Sequence, residues 1–156
     1  MHLFPPVKTI SKLPGLMKRP EQLLVPTIEA YPQLINVAFL FPIEWVNTST
    51  MMSFMTDRSL PKEGYHLSIR LDRISLSYSD YQGLLHGLFT LEQILLQSEE
   101  GIELWDIYDE PDLPVRGVLI DISRNKIPTL STLQSMVSNL ARLKLNHLEL
   151  YVEGRS

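Results

Sequence analysis

The clearest pattern begins at Gly64, where Tyr65, Leu67, Ile69 and Leu71 alternate with polar residues, and Ile74, Leu76 and Tyr78 alternate again after Asp72-Arg73. Period-two alternation turns one side of each strand toward a core, so the segment predicts a β-hairpin with one buried face. Its two-residue turn lacks the glycine favoured by type I′ geometry. The period then changes. Tyr81, Leu84, Leu85, Leu88, Leu91, Ile94 and Leu95 form one apolar stripe on a helix over about 80–98, with Ser79 as N-cap and Gln82 completing a capping box. A stripe of that width needs a surface to cover, and the hairpin supplies one. Gly83 and Gly87 each cost roughly 1 kcal/mol of helix propensity. Four residues apart they share one side of the helix, which predicts close approach to a neighbour.

Upstream of Gly64 the pattern is less regular. Prolines at positions 5, 6, 14, 20, 26, 32 and 42 predict short strands and turns, because each removes a backbone donor. Residues 35–41 read as a buried strand, whereas 42–62 fit neither period. Downstream of the helix, Asp109-Glu110-Pro111-Asp112-Leu113-Pro114 predicts a domain boundary, with Asp109-Glu110 as solvated linker charges. Residues 115–122 are then a nearly continuous apolar strand, 130–143 carry apolar residues at helical spacing, and 148–152 form a second strand. This is one βαβ unit. Two parallel strands alone leave their outer edges unpaired, so either they extend the preceding sheet or the sequence is cut short. A cut is the expectation, and a truncated chain with such edges is expected to self-associate.

Composition narrows the classes. Hydrophobic residues make up 44% and charged residues 21%, the balance of a chain with a packed core. A formal charge of -4 without basic clusters argues against nucleic acid as a partner, and no apolar run approaches the ~20 residues that span a membrane. The first residues lack a basic-then-apolar leader pattern, so the expected compartment is cytoplasmic. With no cysteine, and with His2, His66, His86 and His147 at no ligand-like spacing, neither a metal site nor a cofactor is expected.

Three stretches together resemble glycoside hydrolase family 20, which holds the β-N-acetylhexosaminidases. They are Gly64-Tyr65-His66-Leu67-Ser68-Ile69, the helix ending Gly87-Leu88-Phe89-Thr90-Leu91-Glu92-Gln93-Ile94-Leu95, and the strand Val115-Arg116-Gly117-Val118-Leu119-Ile120-Asp121-Ile122-Ser123-Arg124. The resemblance continues through Leu143-Lys144-Leu145-Asn146 and covers about residues 64–154; residues 1–60 match only in general character. It implies an α/β fold: a mostly antiparallel sheet with a covering helix in a non-catalytic domain over 1–112, followed over 113–156 by the first βαβ unit of an incomplete (β/α)8 TIM barrel. A whole barrel needs about 250 residues and keeps its active site at the C-terminal ends of its strands.

The resemblance implies hydrolysis of terminal N-acetylhexosamine residues with the substrate's own acetamido oxygen as nucleophile. The catalytic Asp-Glu pair of the family belongs to the fourth barrel strand, beyond the end of this chain, so no catalytic residue is expected here and the chain by itself is expected to be inactive. Arg124 matches the arginine that hydrogen-bonds hydroxyls of the terminal sugar, a task suited to five fixed donors. A salt bridge holding a loop is the alternative for it. Asn125 follows where family members commonly have histidine. Glu149, Tyr151 and Glu153 share one side of the second strand, and Glu153 lies near the family's sugar-binding carboxylate, though an ordinary exposed position would serve as well. The competing expectation, from a different class, is a stand-alone non-catalytic carbohydrate-binding or scaffold module.

Overall fold

The computed structural model describes every residue except 49, 124–126 and 154–156. The chain divides into two compact units, Met1–Pro111 and Asp112–Ser156. In the first, β1 (Thr9–Lys18), β4 (Met52–Thr56), β5 (Tyr65–Ile69), β6 (Ile74–Tyr78) and β7 (Gly101–Asp109) form one sheet in the order β1-β7-β5-β6-β4. All neighbouring pairs are antiparallel except β4 with β6. A separate pair, β2 (Leu23–Pro26) and β3 (Ile43–Val46), runs parallel.

The expected hairpin is β5 and β6, paired from Tyr65 with Tyr78 to Ile69 with Ile74. Tyr65, Leu67, Ile69, Ile74 and Leu76 are fully buried, while Leu71 falls in the turn and is exposed. On the other face His66 Nε2 lies 2.8 Å from Asp106 Oδ1, and an Arg70 nitrogen lies 3.3 Å from Asp106 Oδ2. Burial pushes the Asp106 carboxyl up, but its bond to His66 and the nearby His66 and Arg70 charges outweigh that and hold it below its ordinary value.

The helix α1 (Tyr81–Gln97) packs against β5 and β6. Its N-cap is Asp80 rather than Ser79: Oδ1 accepts from the Gly83 N–H at 2.9 Å and Oδ2 from the Glu63 N–H at 2.9 Å. One carboxylate thus ties the helix start to the turn before β5, one oxygen for each N–H. Burial extends beyond the apolar stripe to Thr90 and Glu92. The Tyr65 hydroxyl lies 2.6 Å from Thr90 Oγ1, and the Glu92 carboxylate accepts from the backbone N–H groups of Leu40 and Phe41. Burial, with the Asp109 carboxylate adding to it, pushes the Tyr65 phenol far up.

Two expectations fail, and one strand goes unforeseen. Residues 35–41 are not a strand: Pro32 opens a 3-10 turn over Pro32–Asn36, which buries Leu34 and leaves Ile35 60% exposed. Asp109 is no solvated linker charge; it ends β7, is buried, and accepts from the Lys8 N–H at 3.2 Å. The strand β7 itself is the largest omission. Its buried positions are 102, 104, 107 and 109, so the alternation shifts phase at Trp105-Asp106 and conceals the period. Its neighbour β1 absorbs Pro14 and Gly15 in a bulge between Leu13 and Leu16, with Gly15 at φ +119°.

The second unit contains β8 (Gly117–Asp121), α2 (Leu130–Arg142) and β9 (His147–Tyr151), with β8 and β9 parallel. These strands form their own two-stranded sheet and do not extend the first. No residue of β8, α2 or β9 is fully buried. Among the described residues no helix is long and apolar enough to cross a membrane.

The glycines give a direct test. A Cβ at Gly83 would lie 2.3 Å from the Gly64 carbonyl oxygen, and one at Gly87 would lie 2.4 Å from a Leu76 methyl, whereas one at Gly101 meets nothing nearer than 3.4 Å. Gly83→Ala and Gly87→Ala should therefore each destabilise by about 1–3 kcal/mol despite the gain in helix propensity. Gly101→Ala should stay within about 0.5 kcal/mol. Urea unfolding of the three variants measures the difference.

Candidate functional site

The two parallel strands of the second unit are locked at their starting ends. The Arg116 N–H donates to Asn146 Oδ1 at 2.9 Å, and Asn146 Nδ2 donates to the Pro114 carbonyl at 2.9 Å. The Arg116 guanidinium donates to the carbonyls of Lys144 at 2.8 Å and Leu113 at 2.6 Å, and the Arg116 carbonyl accepts from the N–H groups of Asn146 and His147. Lys144 takes a positive φ of 57° to end the turn after α2 and is buried. Gly117 has no room for a side chain, since a Cβ would lie 2.3 Å from the His147 carbonyl oxygen. The Arg-Gly and Lys-Leu-Asn segments therefore fit each other and set the strand register. Their work is structural.

The finishing ends are different in character. Asp121 and Tyr151 are register partners on one face, with Leu119 and Glu149 one pair earlier, and all four are exposed. Val118, Ile120 and Leu148, on the opposite face, are half-buried. The Ile122 N–H donates to the Tyr151 carbonyl at 3.0 Å, so pairing continues to the ends of both strands. Asp121 Oδ1 accepts from the Ser123 N–H at 2.8 Å and from the Ser123 hydroxyl, closing a tight turn that brings the chain off β8. Arg124, which follows that turn in sequence, lies outside the described residues. Glu153 is exposed, two positions past the last residue of β9. Asp121 was not singled out as a site residue from sequence, although the Asp-x-Ser spacing carries a turn signal.

Among the described residues no group of three or more His, Asp or Glu side chains is placed to hold a metal ion. The strand ends offer hydrogen-bonding and aromatic groups instead: a carboxylate, a phenol and further carboxylates on one face. Such groups can receive a polyhydroxylated ligand.

The sequence profile described as glycosyl hydrolase family 20, domain 2, matches residues 22–110, more than half of the chain. The chain belongs to glycosyl hydrolase family 20. A β-hexosaminidase of Akkermansia muciniphila is 30% identical over 111 residues, which cover 67% of this chain and 22% of that protein. The β-hexosaminidase α subunit of Rattus norvegicus is 39% identical over 77 residues, covering 47% of this chain and 15% of that protein. Among solved structures, a β-N-acetylhexosaminidase from Bacteroides fragilis matches with a TM-score of 0.79 at 20% identity, over 94% of this chain and 32% of that one. The chain thus spans less than a quarter of the curated family 20 relatives described here. The family profile ends within the first unit, so the second rests on the structural likeness and on its own geometry.

Asn146→Ala should remove the clamp on both strand starts. The expected cost to the second unit is about 1–3 kcal/mol, read as faster amide exchange at Arg116 and His147. Unchanged protection there would show that the asparagine does not hold the register.

Proposed function

We propose that this chain is the front part of a β-N-acetylhexosaminidase of family 20, its first unit an accessory α/β domain and its second the opening βαβ unit of a (β/α)8 barrel. One observation carries the reading. Two parallel strands joined by a helix finish together with Asp121 and Tyr151 side by side and exposed, Asp121 standing three residues before Arg124 in the sequence. A barrel collects substrate-binding groups at that end, and further strands would bury the Leu119 face and pair the outer edges.

In the complete enzyme Arg124 donates hydrogen bonds to hydroxyls of the terminal sugar, and Glu153 lies at the rim of the same pocket. The acetamido oxygen of the bound N-acetylhexosamine attacks its own anomeric carbon as the glycosidic bond breaks. A carboxylic acid on a later strand gives its proton to the departing oxygen, then as carboxylate takes a proton from the water that opens the cyclic intermediate. A neighbouring aspartate orients the acetamido group. The residues of this chain bind and orient; they neither donate nor accept the reacting proton. The substrate is a carbohydrate, and no cofactor takes part.

The 156-residue chain should release no aryl alcohol from aryl N-acetyl-β-glucosaminide or galactosaminide, because general acid-base help worth roughly 10² to 10⁴ in rate is missing. Turnover that survives rigorous purification would overturn the proposal. In the complete enzyme, Arg124→Lys should keep the fold but lose the planar fork, lowering kcat/KM roughly ten- to hundredfold. Steady-state kinetics with an aryl glycoside measures this, and full activity would remove Arg124 from the site.

A further inference from the structure

Residues 2–4 run along α1 in the opposite direction to it, held by two glutamines that use both ends of their amides. Gln97 accepts from the His2 N–H at 2.8 Å and donates to the His2 carbonyl at 2.7 Å, and Gln93 does the same with Phe4 at 2.9 and 3.0 Å. The match is one of spacing. Residues four apart on a helix are separated by a rise of about 6 Å, and alternate residues of an extended chain lie about 6.6 Å apart. Each amide therefore serves a backbone N–H and carbonyl as a neighbouring strand would, and reads no side chain. Phe4 is 68% exposed and His2 is exposed as well, while Leu3 between them is half-buried against the core.

The following residues set this segment apart from the sheet. Pro5 and Pro6 have no N–H to give to any neighbour. Beyond them Val7 packs against the core, the Lys8 N–H donates to the buried Asp109 carboxylate at 3.2 Å, and the Lys8 ammonium pairs with Glu110 at 2.7 Å. The segment thus has a root fixed to the end of β7, two residues that donate nothing, and a tip whose four bonds are all exposed. Bonds made against competing water hold weakly, whereas the sheet lies over a buried core, and such uneven stability lets one part open alone. Met1, at the tip, lines a cleft of about 360 Å³ together with Ile94, Gln97 and Gly101. Lifting the tip takes away that wall of the cleft and uncovers the place of Leu3 on the core.

We infer that residues 1–6 form a latch on α1, a strap that lifts and closes while the sheet stays folded, with Gln93 and Gln97 as its catch and Pro5-Pro6 as its hinge. Because the catch grips backbone alone, the side chains of His2 and Phe4 contribute nothing to closure. The latch belongs to the first unit by itself and is independent of the hydrolase reading.

Native-state amide exchange of the ¹⁵N-labelled 156-residue chain, followed by NMR at rising urea below the unfolding transition, tests it. The Phe4 amide should be protected and should exchange through a small opening that urea scarcely changes. The Lys8 amide, and the Ile74 amide that donates to the Met51 carbonyl at 2.7 Å, should exchange only through larger, urea-sensitive openings. Gln93→Ala combined with Gln97→Ala, which preserves helix propensity, should quicken Phe4 exchange about ten- to hundredfold and leave Lys8 and Ile74 unchanged. In the unaltered chain, a Phe4 amide without protection, or one that exchanges only together with Ile74, would overturn the inference whatever the variant does. So would a double variant in which Phe4 stays protected, or one in which all three amides quicken alike.

Discussion

The distance between α1 and the hairpin beneath it governs the first unit. Gly83 lets the helix start descend onto the Gly64 carbonyl, and Gly87 lets its middle rest on Leu76 and Tyr65. That approach has chemical consequences. It brings Thr90 within 2.6 Å of the Tyr65 hydroxyl and lets a single Asp80 carboxylate cap the helix while holding Glu63. The Tyr65 phenol thereby has Thr90 on the helix as a partner besides the Asp109 carboxylate at the end of β7. Close packing and polar satisfaction are here one constraint.

The second unit follows a different logic. Its strands are pinned at the start by the Arg116–Asn146 lattice but are covered by nothing that buries them fully. Leu119, Leu150, Tyr151 and Val152 are exposed, and under the barrel reading proposed above neighbouring strands would cover them. The proposed barrel segment would use that contrast, one end setting register and the other presenting chemistry.

Most of this was legible where one period ran unbroken. The hairpin alternation and the α1 stripe lie in stretches where every second or every third to fourth residue is apolar, and a resemblance built on their order led to the family. Legibility ended where two influences met. In β7 the phase shift at Trp105-Asp106 conceals a nine-residue strand, so the second-longest strand of the sheet went unread. At Ile35 an apolar run suggested a strand, yet Pro32 had already committed the backbone to a 3-10 turn. At the α1 cap both Ser79 and Asp80 had the right chemistry, and the Gly83 and Glu63 N–H groups both meet the aspartate while the Ser79 hydroxyl turns to the Gly64 carbonyl. Asp109 reads as a linker charge because the groups that hold it, Tyr65 on β5 and the Lys8 N–H, are far from it in sequence. Arg124 was read from its motif, and Asp121, which shapes the turn leading to it, was read only as part of that motif.

The central claim is that the finishing ends of β8 and β9 form part of a sugar pocket. A crystal structure of the complete protein soaked with N-acetylglucosamine tests it most directly. The account predicts the sugar at that end, with the Arg124 guanidinium within about 2.7–3.2 Å of its ring hydroxyls and the faces of Asp121 and Tyr151 turned toward the same pocket. A sugar bound elsewhere with these strand ends empty, or an Arg124 engaged with a carboxylate away from the strand end, would contradict it.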